Sequence, residues 1–284
     1  MADQTLAQTG ALKMPDAELV ARTCEGEGRG FSGGANQKPQ IPQGGTVCAT
    51  PPRRVPQYTL GYKIGWRWRL VSRWVRFLLA GASLSAPELV DFIFTNRYFA
   101  AYQVPSELAA LGEILAQRRP KCALEIGTAR GGTLLFLTRL ASPRAVIVSV
   151  DLPGGEFGGG YSARRKWCYQ RFARSRQRLH LVEGDSHSAD ALRCVKAAFG
   201  GQPLDYLFID GDHRYEGVKR DFEMYSPLVG KGGLIALHDI VDGPSEAVGG
   251  VPDFWREIRS RYRYREIIQD ANQGGYGLGV LYVD

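Results

Sequence analysis

The sequence has few acidic residues before residue 88 and no long apolar run. No Asp or Glu occurs between Phe31 and Pro87, and the apolar run Phe77–Ala80 is too short to span a bilayer. Residues Met1–Gln4 begin a polar segment without the basic and apolar regions of a signal peptide. These absences argue against a membrane span and an export signal, and they predict a cytoplasmic protein.

Cysteine is too sparse and too scattered to form a framework. The five cysteines are odd in number and widely spaced, with neither a C-x-x-C pair nor a paired histidine pattern. The spacing therefore predicts free thiols in a reducing compartment.

The apolar content is sufficient for one sizeable domain. A chain of 284 residues with 44% hydrophobic content suits one α/β domain with an extension better than two equal domains. The formal net charge of +7 is unevenly distributed, because the stretch from Arg53 to Arg76 carries seven positive residues and no negative one. The excess charge therefore precedes the α/β domain.

Two different segments precede that domain. Residues 1–56 mix Gly, Gln, Pro, Thr and Ser with few large apolar residues, and this composition predicts a disordered tail. Residues 57–102 read as a basic, aromatic helical arm, in which tryptophans and leucines alternate with arginines over 58–82. The apolar stripe favours packing on the same chain or on a second subunit of a homo-oligomer. Peripheral contact with an anionic membrane surface is the alternative.

A strand, a glycine loop and a helix start lie between Cys122 and Thr133. The glycines Gly127, Gly131 and Gly132 remove side chains from the turn, so a ligand can lie against the backbone and meet the amides at a helix N-terminus. The spacing lacks the G-x-G-x-x-G that a dinucleotide pyrophosphate requires. It therefore disfavours an NAD-dependent oxidoreductase.

An acid stands two residues before the first glycine, as Glu125-x-Gly127, and Gly131-Gly132 follow. This spacing resembles the first motif of the class I S-adenosylmethionine-dependent methyltransferases. The resemblance implies a doubly wound, mostly parallel, seven-stranded Rossmann-like α/β sheet with a reversed terminal strand over residues 103–284. It also implies S-adenosylmethionine as cofactor, bound at the first strand by Glu125, Gly127, Thr128, Gly131 and Gly132.

Two later strands are expected to complete the cofactor site. The run Ala145–Val150 predicts a buried second strand that ends in Asp151, and a third strand leads into Glu183-Gly184-Asp185-Ser186. By the same resemblance, Asp151 binds the ribose hydroxyls, and Asp185 and Ser186 lie beside the adenine.

Acidic and histidine residues follow the fourth and fifth predicted strands, as Asp210-Gly211-Asp212-His213 and His238-Asp239. The carboxyl ends of these strands meet at one edge of an open sheet, so the side chains should converge beside the glycine loop. Clustered Asp and His favour a divalent cation, and helix capping or internal polar pairing is the alternative.

This second pattern resembles the metal-dependent small-molecule O-methyltransferases, which include the catechol, macrolide-sugar and cephalosporin hydroxylase-like families. The resemblance implies that Asp210, His238 and Asp239 hold Mg²⁺ or Mn²⁺ and that His213 is the catalytic base. His238 departs from the acid or amide common there. Because imidazole is a poor Mg²⁺ ligand, Asp212 is the alternative third ligand.

The predicted function is methyl transfer from S-adenosylmethionine to a hydroxyl of a small molecule or glycoside. An RNA methyltransferase is one alternative, because a basic arm with interleaved tryptophans can follow phosphates and stack on bases. The N/D-P-P-Y/F motif of many base N-methyltransferases is absent after the fourth strand, which makes nucleic acid the weaker choice. A non-catalytic scaffold with a membrane- or partner-binding arm is the other alternative.

Overall fold

The computed structural model describes residues 84–95, 99, 101–154, 160–174 and 176–284. The predicted tail over 1–56 and the basic stretch 58–82 lie outside the described residues. The expectations of disorder, subunit packing and membrane contact for these segments therefore stay predictions.

One sheet of seven strands organises the described structure. The strands are β1 (Cys122–Ile126), β2 (Val146–Asp151), β3 (Arg178–Glu183), β4 (Leu204–Ile209), β5 (Val229–His238), β6 (Arg263–Ile267) and β7 (Leu278–Tyr282). Their order is β3-β2-β1-β4-β5-β7-β6, in which β1 to β5 are parallel and β7 is antiparallel to both neighbours. The predicted Rossmann-like sheet with a reversed terminal strand is confirmed.

The described residues form eight α-helices. They are α1 (Ala86–Thr95), α2 (Pro105–Arg118), α3 (Gly132–Leu140), α4 (Ala163–Tyr169), α5 (Ala189–Phe199), α6 (Tyr215–Tyr225), α7 (Ser245–Val248) and α8 (Val251–Ile258). None of these helices is long and apolar enough to cross a membrane.

The segment before α2 differs from the prediction. The predicted helical arm over 57–102 is wrong at its carboxyl end, because α1 ends at Thr95 and residues 101–104 are irregular. Val104 is extended, with φ −73° and ψ 131°, as is usual for a residue that precedes proline. This irregular segment brings side chains to the carboxyl edge of the sheet.

The central strands explain why the sequence forms this sheet. Every residue of β1 and β2 is buried, which is typical of parallel strands covered on both faces. Because β1 to β5 run in one direction, the loops that follow β1, β2, β4 and β5 begin along a single edge. Those loops carry the residues singled out in the sequence.

The cysteines only partly follow the prediction of free thiols. Cys122 and Cys168 are free, whereas Cys194, which is buried on α5, is disulfide-bonded. The prediction is wrong for Cys194, because wide spacing in sequence does not indicate which side chains the fold brings together.

Candidate functional site

A cleft of about 1140 Å³ opens along the carboxyl edge of the sheet. The loops after β1, β2, β3, β4 and β5 form its walls, together with the loop between β6 and β7. The predicted site residues that line it are Gly127, Asp151, Asp185, Ser186, Asp210, Asp212, His213, His238 and Asp239. The fold thus places residues from both predicted sites in one cavity.

The turn after β1 lies directly against the end of β4. Gly127 has φ +87°, and a side chain there would collide with the carbonyl oxygen of Asp210. The Gly127 N–H donates to the Val150 carbonyl at 2.9 Å, and the Asp210 N–H donates to the Ile126 carbonyl at 2.9 Å. Only glycine combines this backbone conformation with so close an approach.

Gly131, the second glycine of the loop, makes room for an aromatic ring. Gly131 has φ +76°, and an added Cβ would lie 2.6 Å from the Tyr169 ring. The Tyr169 hydroxyl donates to the Ala129 carbonyl at 3.2 Å, and Gly132 begins α3. Gly131 thus lets the Tyr169 ring pack against the loop.

Asp151 orients the same loop from the end of β2. Its Oδ2 accepts the backbone N–H groups of Thr128 at 3.3 Å and Ala129 at 3.0 Å. Burial raises the pKa of Asp151, while the backbone donors oppose that shift. The carboxylate lies where the sequence placed a ribose-binding acid, but it also fixes the turn beside it.

Glu125 lies beneath the loop rather than in the cleft lining. It is 1% exposed, and its Oε2 accepts the Ser149 hydroxyl at 2.9 Å. The hydroxyls of Thr128 and Tyr161 are 3.0 Å apart, and Tyr161 also donates to the Ser149 carbonyl at 3.0 Å. Burial raises the pKa of Glu125 to about 8. The predicted first-motif acid is therefore part of a buried polar network.

The predicted adenine side is formed after β3. The Asp185 Oδ1 accepts the His187 N–H at 2.8 Å, and the Tyr225 hydroxyl donates to the Ser186 carbonyl at 2.7 Å. The His187 Nε2 lies 3.3 Å from the Oδ1 of the fully buried Asp221, which raises the pKa of His187. Contact with Asp221 thus helps to position His187 in this loop.

Two carboxylates and two imidazoles meet at the ends of β4 and β5. The His238 Nδ1 lies 3.1 Å from Asp210 Oδ1 and 3.3 Å from Asp239 Oδ2. The His213 Nε2 lies 3.5 Å from Asp210 Oδ1, and its Nδ1 lies 3.4 Å from Asp239 Oδ2. One ligand atom each from Asp210, His213 and Asp239 lies within 4.8 Å of the others. The donor types and spacing fit a divalent cation.

The electrostatics of this cluster are tightly linked. Burial alone raises the pKa of Asp210, but the His238 and His213 rings outweigh burial and hold the pKa well below its usual range. Burial alone lowers the pKa of both rings, but Asp210 and Asp239 raise that of His213 to about 9 and that of His238 to about 10. The two acids therefore favour the charged form of both rings.

Asp212 lines the cleft but turns away from the cluster. Its Oδ1 accepts the Arg214 N–H at 3.0 Å, and its carboxylate pairs with the Arg214 guanidinium. Such an Asx turn prepares the start of α6. Of the four ligands considered in the sequence, Asp212 is the one that the fold does not bring to the others.

Two contacts at the cluster carried no signal in the sequence. The Gln103 Nε2, from the irregular segment before α2, donates to Asp210 Oδ2 at 2.8 Å, and this glutamine is 4% exposed. The Tyr276 N–H donates to Asp239 Oδ1 at 3.2 Å. Both Asp239 and Tyr276 have φ +61°, a conformation that is uncommon outside glycine.

Comparison with known proteins finds a resemblance to methyltransferases. Residues 124–240 match the sequence family described as a methyltransferase domain, and the strand order is the one that the first-motif resemblance implied. The match covers 117 of the 284 residues and runs from β1 to just beyond β5, so it contains the glycine loop and the acid–imidazole cluster.

Two curated proteins resemble parts of this chain. Catechol O-methyltransferase B of Danio rerio is 24% identical over 187 residues, which cover 65% of this chain and 65% of that protein. An uncharacterized protein of Acanthamoeba polyphaga mimivirus is 51% identical over 39 residues, 14% of this chain and 18% of its own length. The methyltransferase thus spans less than two thirds of either curated relative.

A solved structure shares the fold. The O-methyltransferase from Bacillus cereus, solved in complex with SAH, has a TM-score of 0.50 and 19% sequence identity. The match covers 71% of this methyltransferase and 92% of that chain. It therefore extends the fold resemblance beyond the family match.

Proposed function

We propose that this methyltransferase moves the methyl group of S-adenosylmethionine to a hydroxyl of a small molecule or glycoside, with a divalent cation held by Asp210 and Asp239. One observation supports this most directly. The two carboxylates and two imidazoles converge within 3.1 to 3.5 Å in the same cleft that the glycine loop lines. A hydroxyl at the cluster would face a donor bound at the loop.

In this proposal the methyl donor lies along the loops after β1, β2 and β3. Gly127 gives the methionine part access to the backbone, Asp151 binds the ribose, and Asp185 and Ser186 lie beside the adenine. All four line the cleft, which supports the assignment. Glu125 contributes from below, where its side chain accepts the Ser149 hydroxyl at 2.9 Å and so orients Ser149.

The residues present suit Mn²⁺ or Mg²⁺, and an imidazole ligand favours Mn²⁺. A bound cation would lower the pKa of the acceptor hydroxyl, and its positive charge would offset the negative charge of Asp210 and Asp239. Asp210 and Asp239 come from different strands, so their spacing is set by the sheet. His238 completes the proposed set, because its Nδ1 lies 3.1 Å from Asp210 Oδ1 and 3.3 Å from Asp239 Oδ2.

His213 is the proposed base. Its Nδ1 lies 2.5 Å from the Ala247 carbonyl, which can only accept a hydrogen bond, so a neutral ring carries its proton on Nδ1. The Nε2 is then the atom that takes the acceptor proton. Asp210 and Asp239 raise the ring pKa to about 9. His213 can therefore act as a base at neutral pH only when a positive charge offsets these two acids.

The proposed acceptor is a small molecule with an apolar face. Tyr102 and Tyr276 line the cleft with 54% and 44% of their surface exposed, and Pro244 and Val248 add apolar wall. The Danio rerio relative is named for catechol, which is a small hydroxylated ring. The carboxylates on the cleft wall disfavour a phosphate-rich acceptor such as RNA.

Replacement of Asp210 by Ala tests the proposal. Turnover of a pooled set of phenols and glycosides with labelled S-adenosylmethionine should be lost, whereas calorimetric binding of S-adenosylhomocysteine should stay within a few-fold of wild type. The matched control is Asp212→Asn, which changes an acid of the same loop outside the cluster and should retain turnover. Full activity of Asp210→Ala, or wild-type activity unaffected by a chelator, would contradict the cation role.

A further inference from the structure

The loop between β6 and β7, residues 268–277, forms one wall at the cluster end of the cleft. Gly274, Gly275 and Tyr276 line the cleft, and the Tyr276 N–H donates to Asp239 Oδ1 at 3.2 Å. The Tyr276 carbonyl accepts the Val241 N–H at 3.0 Å. The position of this loop therefore helps to set the direction in which the Asp239 carboxylate points.

Glu107, in the first turn of α2, holds this loop. Its Oε1 accepts the Gln269 N–H at 2.9 Å and the Gln273 Nε2 at 2.8 Å, and its Oε2 accepts the Gly277 N–H at 3.1 Å. All three donors belong to the 268–277 loop, although they lie 162 to 170 residues away in sequence. One side chain thus ties both ends and the middle of the loop to α2.

Glu107 is buried, so its carboxylate depends on the hydrogen bonds from the loop. Glu107 is 1% exposed, and among the described residues no ion pair involves it. The carboxylate is stabilised by hydrogen bonds from amide donors, and hydrogen bonds to a carboxylate are stronger than those between neutral groups. If the loop moved, a buried carboxylate would lose its donors, and that loss carries a large free-energy cost.

The backbone of the loop needs such support. Tyr276 and Asp239, which the 3.2 Å hydrogen bond joins, both have φ +61°. Non-glycine residues hold this conformation only where their surroundings enforce it. Gln273, which binds Glu107, also donates to the Gly275 carbonyl at 3.0 Å and so shapes the turn that precedes Tyr276.

We propose that Glu107 is a positioning residue for the cation end of the cleft. It fixes the 268–277 loop, and through the Tyr276 N–H it fixes the Asp239 carboxylate in the direction that a cation requires. The inference rests on the proposed function, because it assumes that Asp239 binds a cation. Glu107 itself touches neither Asp239 nor the reacting atoms.

Calorimetric titration of Mn²⁺ into full-length protein saturated with S-adenosylhomocysteine tests the inference without an acceptor. Glu107→Gln keeps the shape of the side chain but turns one acceptor into an NH₂ group that opposes the loop donors. We expect Mn²⁺ affinity to fall about tenfold or more, as for other groups that orient metal ligands. Affinity for S-adenosylhomocysteine should change less than twofold, because the glycine loop does not depend on Glu107.

Glu113→Gln is the matched control, since Glu113 is the same residue type on the same helix but exposed. It should leave both affinities unchanged. Gln273→Leu removes one donor to Glu107 without changing the carboxylate, and it should weaken Mn²⁺ binding by a smaller factor. If Glu107→Gln does not fold, Gln273→Leu decides by the same two titrations.

Unchanged Mn²⁺ affinity in the folded variants would overturn the positioning role. Equal weakening of Mn²⁺ and S-adenosylhomocysteine binding would overturn it too, because that result indicates general damage. Failure of the wild-type protein to bind Mn²⁺ would refute the proposed cation role and this inference together. The wild-type titration therefore separates failure of the proposed function from failure of the inference alone.

Discussion

Gln103 contacts Asp210 directly, although it lies outside the motifs that follow β4 and β5. Its Nε2 donates to Asp210 Oδ2 at 2.8 Å from a buried position, and this leaves Oδ1 towards the imidazoles. Gln103→Ala should lower kcat/KM roughly 10- to 150-fold, since loss of a hydrogen bond to a buried charge typically costs about 1.5–3 kcal/mol. Steady-state kinetics checks this. Gln117→Ala, at an exposed glutamine on α2, should have no effect, and equal rates for the two variants would refute the role.

Glu125 should make stability depend on pH. Burial raises its pKa from 4.5 to about 8, so the folded protein keeps a proton that the unfolded chain has released. The unfolding free energy should therefore fall as pH rises from about 4.5 to 8, by an amount on the order of 4 kcal/mol.

Urea denaturation at several pH values measures this effect as the difference between wild type and Glu125→Gln. The variant should lose this part of the pH dependence, whereas Glu113→Gln, at an exposed position, should keep it. Parallel pH profiles for wild type and Glu125→Gln would contradict a raised pKa.

At the level of single residues, the sequence predicted those side chains that follow a strand end. Asp210, His213, His238 and Asp239 stand there in recognisable pairs, and parallel strands bring such ends together. Gln103 and Glu107 had no comparable signal, because their partners lie more than 100 residues away and neither side chain follows a periodic pattern. The orientation of Asp212 was also hidden, since a local turn with Arg214 decides it.

At the level of elements, the turn from β1 to α3 is the most constrained. Gly127→Ala would add a side chain where the Asp210 carbonyl lies and would force alanine to adopt φ +87°. We expect a loss of roughly 2–4 kcal/mol of unfolding free energy from conformational strain and overlap together. Calorimetric binding of S-adenosylhomocysteine should also weaken.

Gly200→Ala separates these two causes. Gly200 ends α5 with φ +60°, but nothing lies within 4 Å of an added Cβ. Strain alone should cost about 1 kcal/mol there. Equal losses in the two variants would show that close approach at Gly127 does not matter.

The sequence also predicted most elements, and the misses have local causes. β5 begins at Val229, well before its apolar run Leu234–Leu237, because Val229 pairs with Leu204 before a register shift. The glycines at 230, 232 and 233 are typical of a turn, yet the strand continues through them. Apolar pattern thus located the strands, whereas pairing partners decided their ends.

For the whole molecule, ligand linkage separates the methyltransferase assignment from a dinucleotide enzyme. S-adenosylhomocysteine at 100 times its Kd should stabilise the folded state by about 2.7 kcal/mol. For a domain of this size, that raises Tm by roughly 5–10 °C. NAD should leave Tm unchanged in the same thermal scan, and a shift with NAD instead would contradict the proposed function.

The contact between Gly127 and Asp210 has a further consequence for how the two ligands change each other's affinity. The residue that carries the first loop glycine and the residue that carries the first cluster acid share one backbone contact, so neither segment can shift without the other. Occupancy of one half of the cleft should then change the affinity of the other half. Thermodynamic reciprocity requires that Mn²⁺ tighten S-adenosylhomocysteine by the same factor by which S-adenosylhomocysteine tightens Mn²⁺.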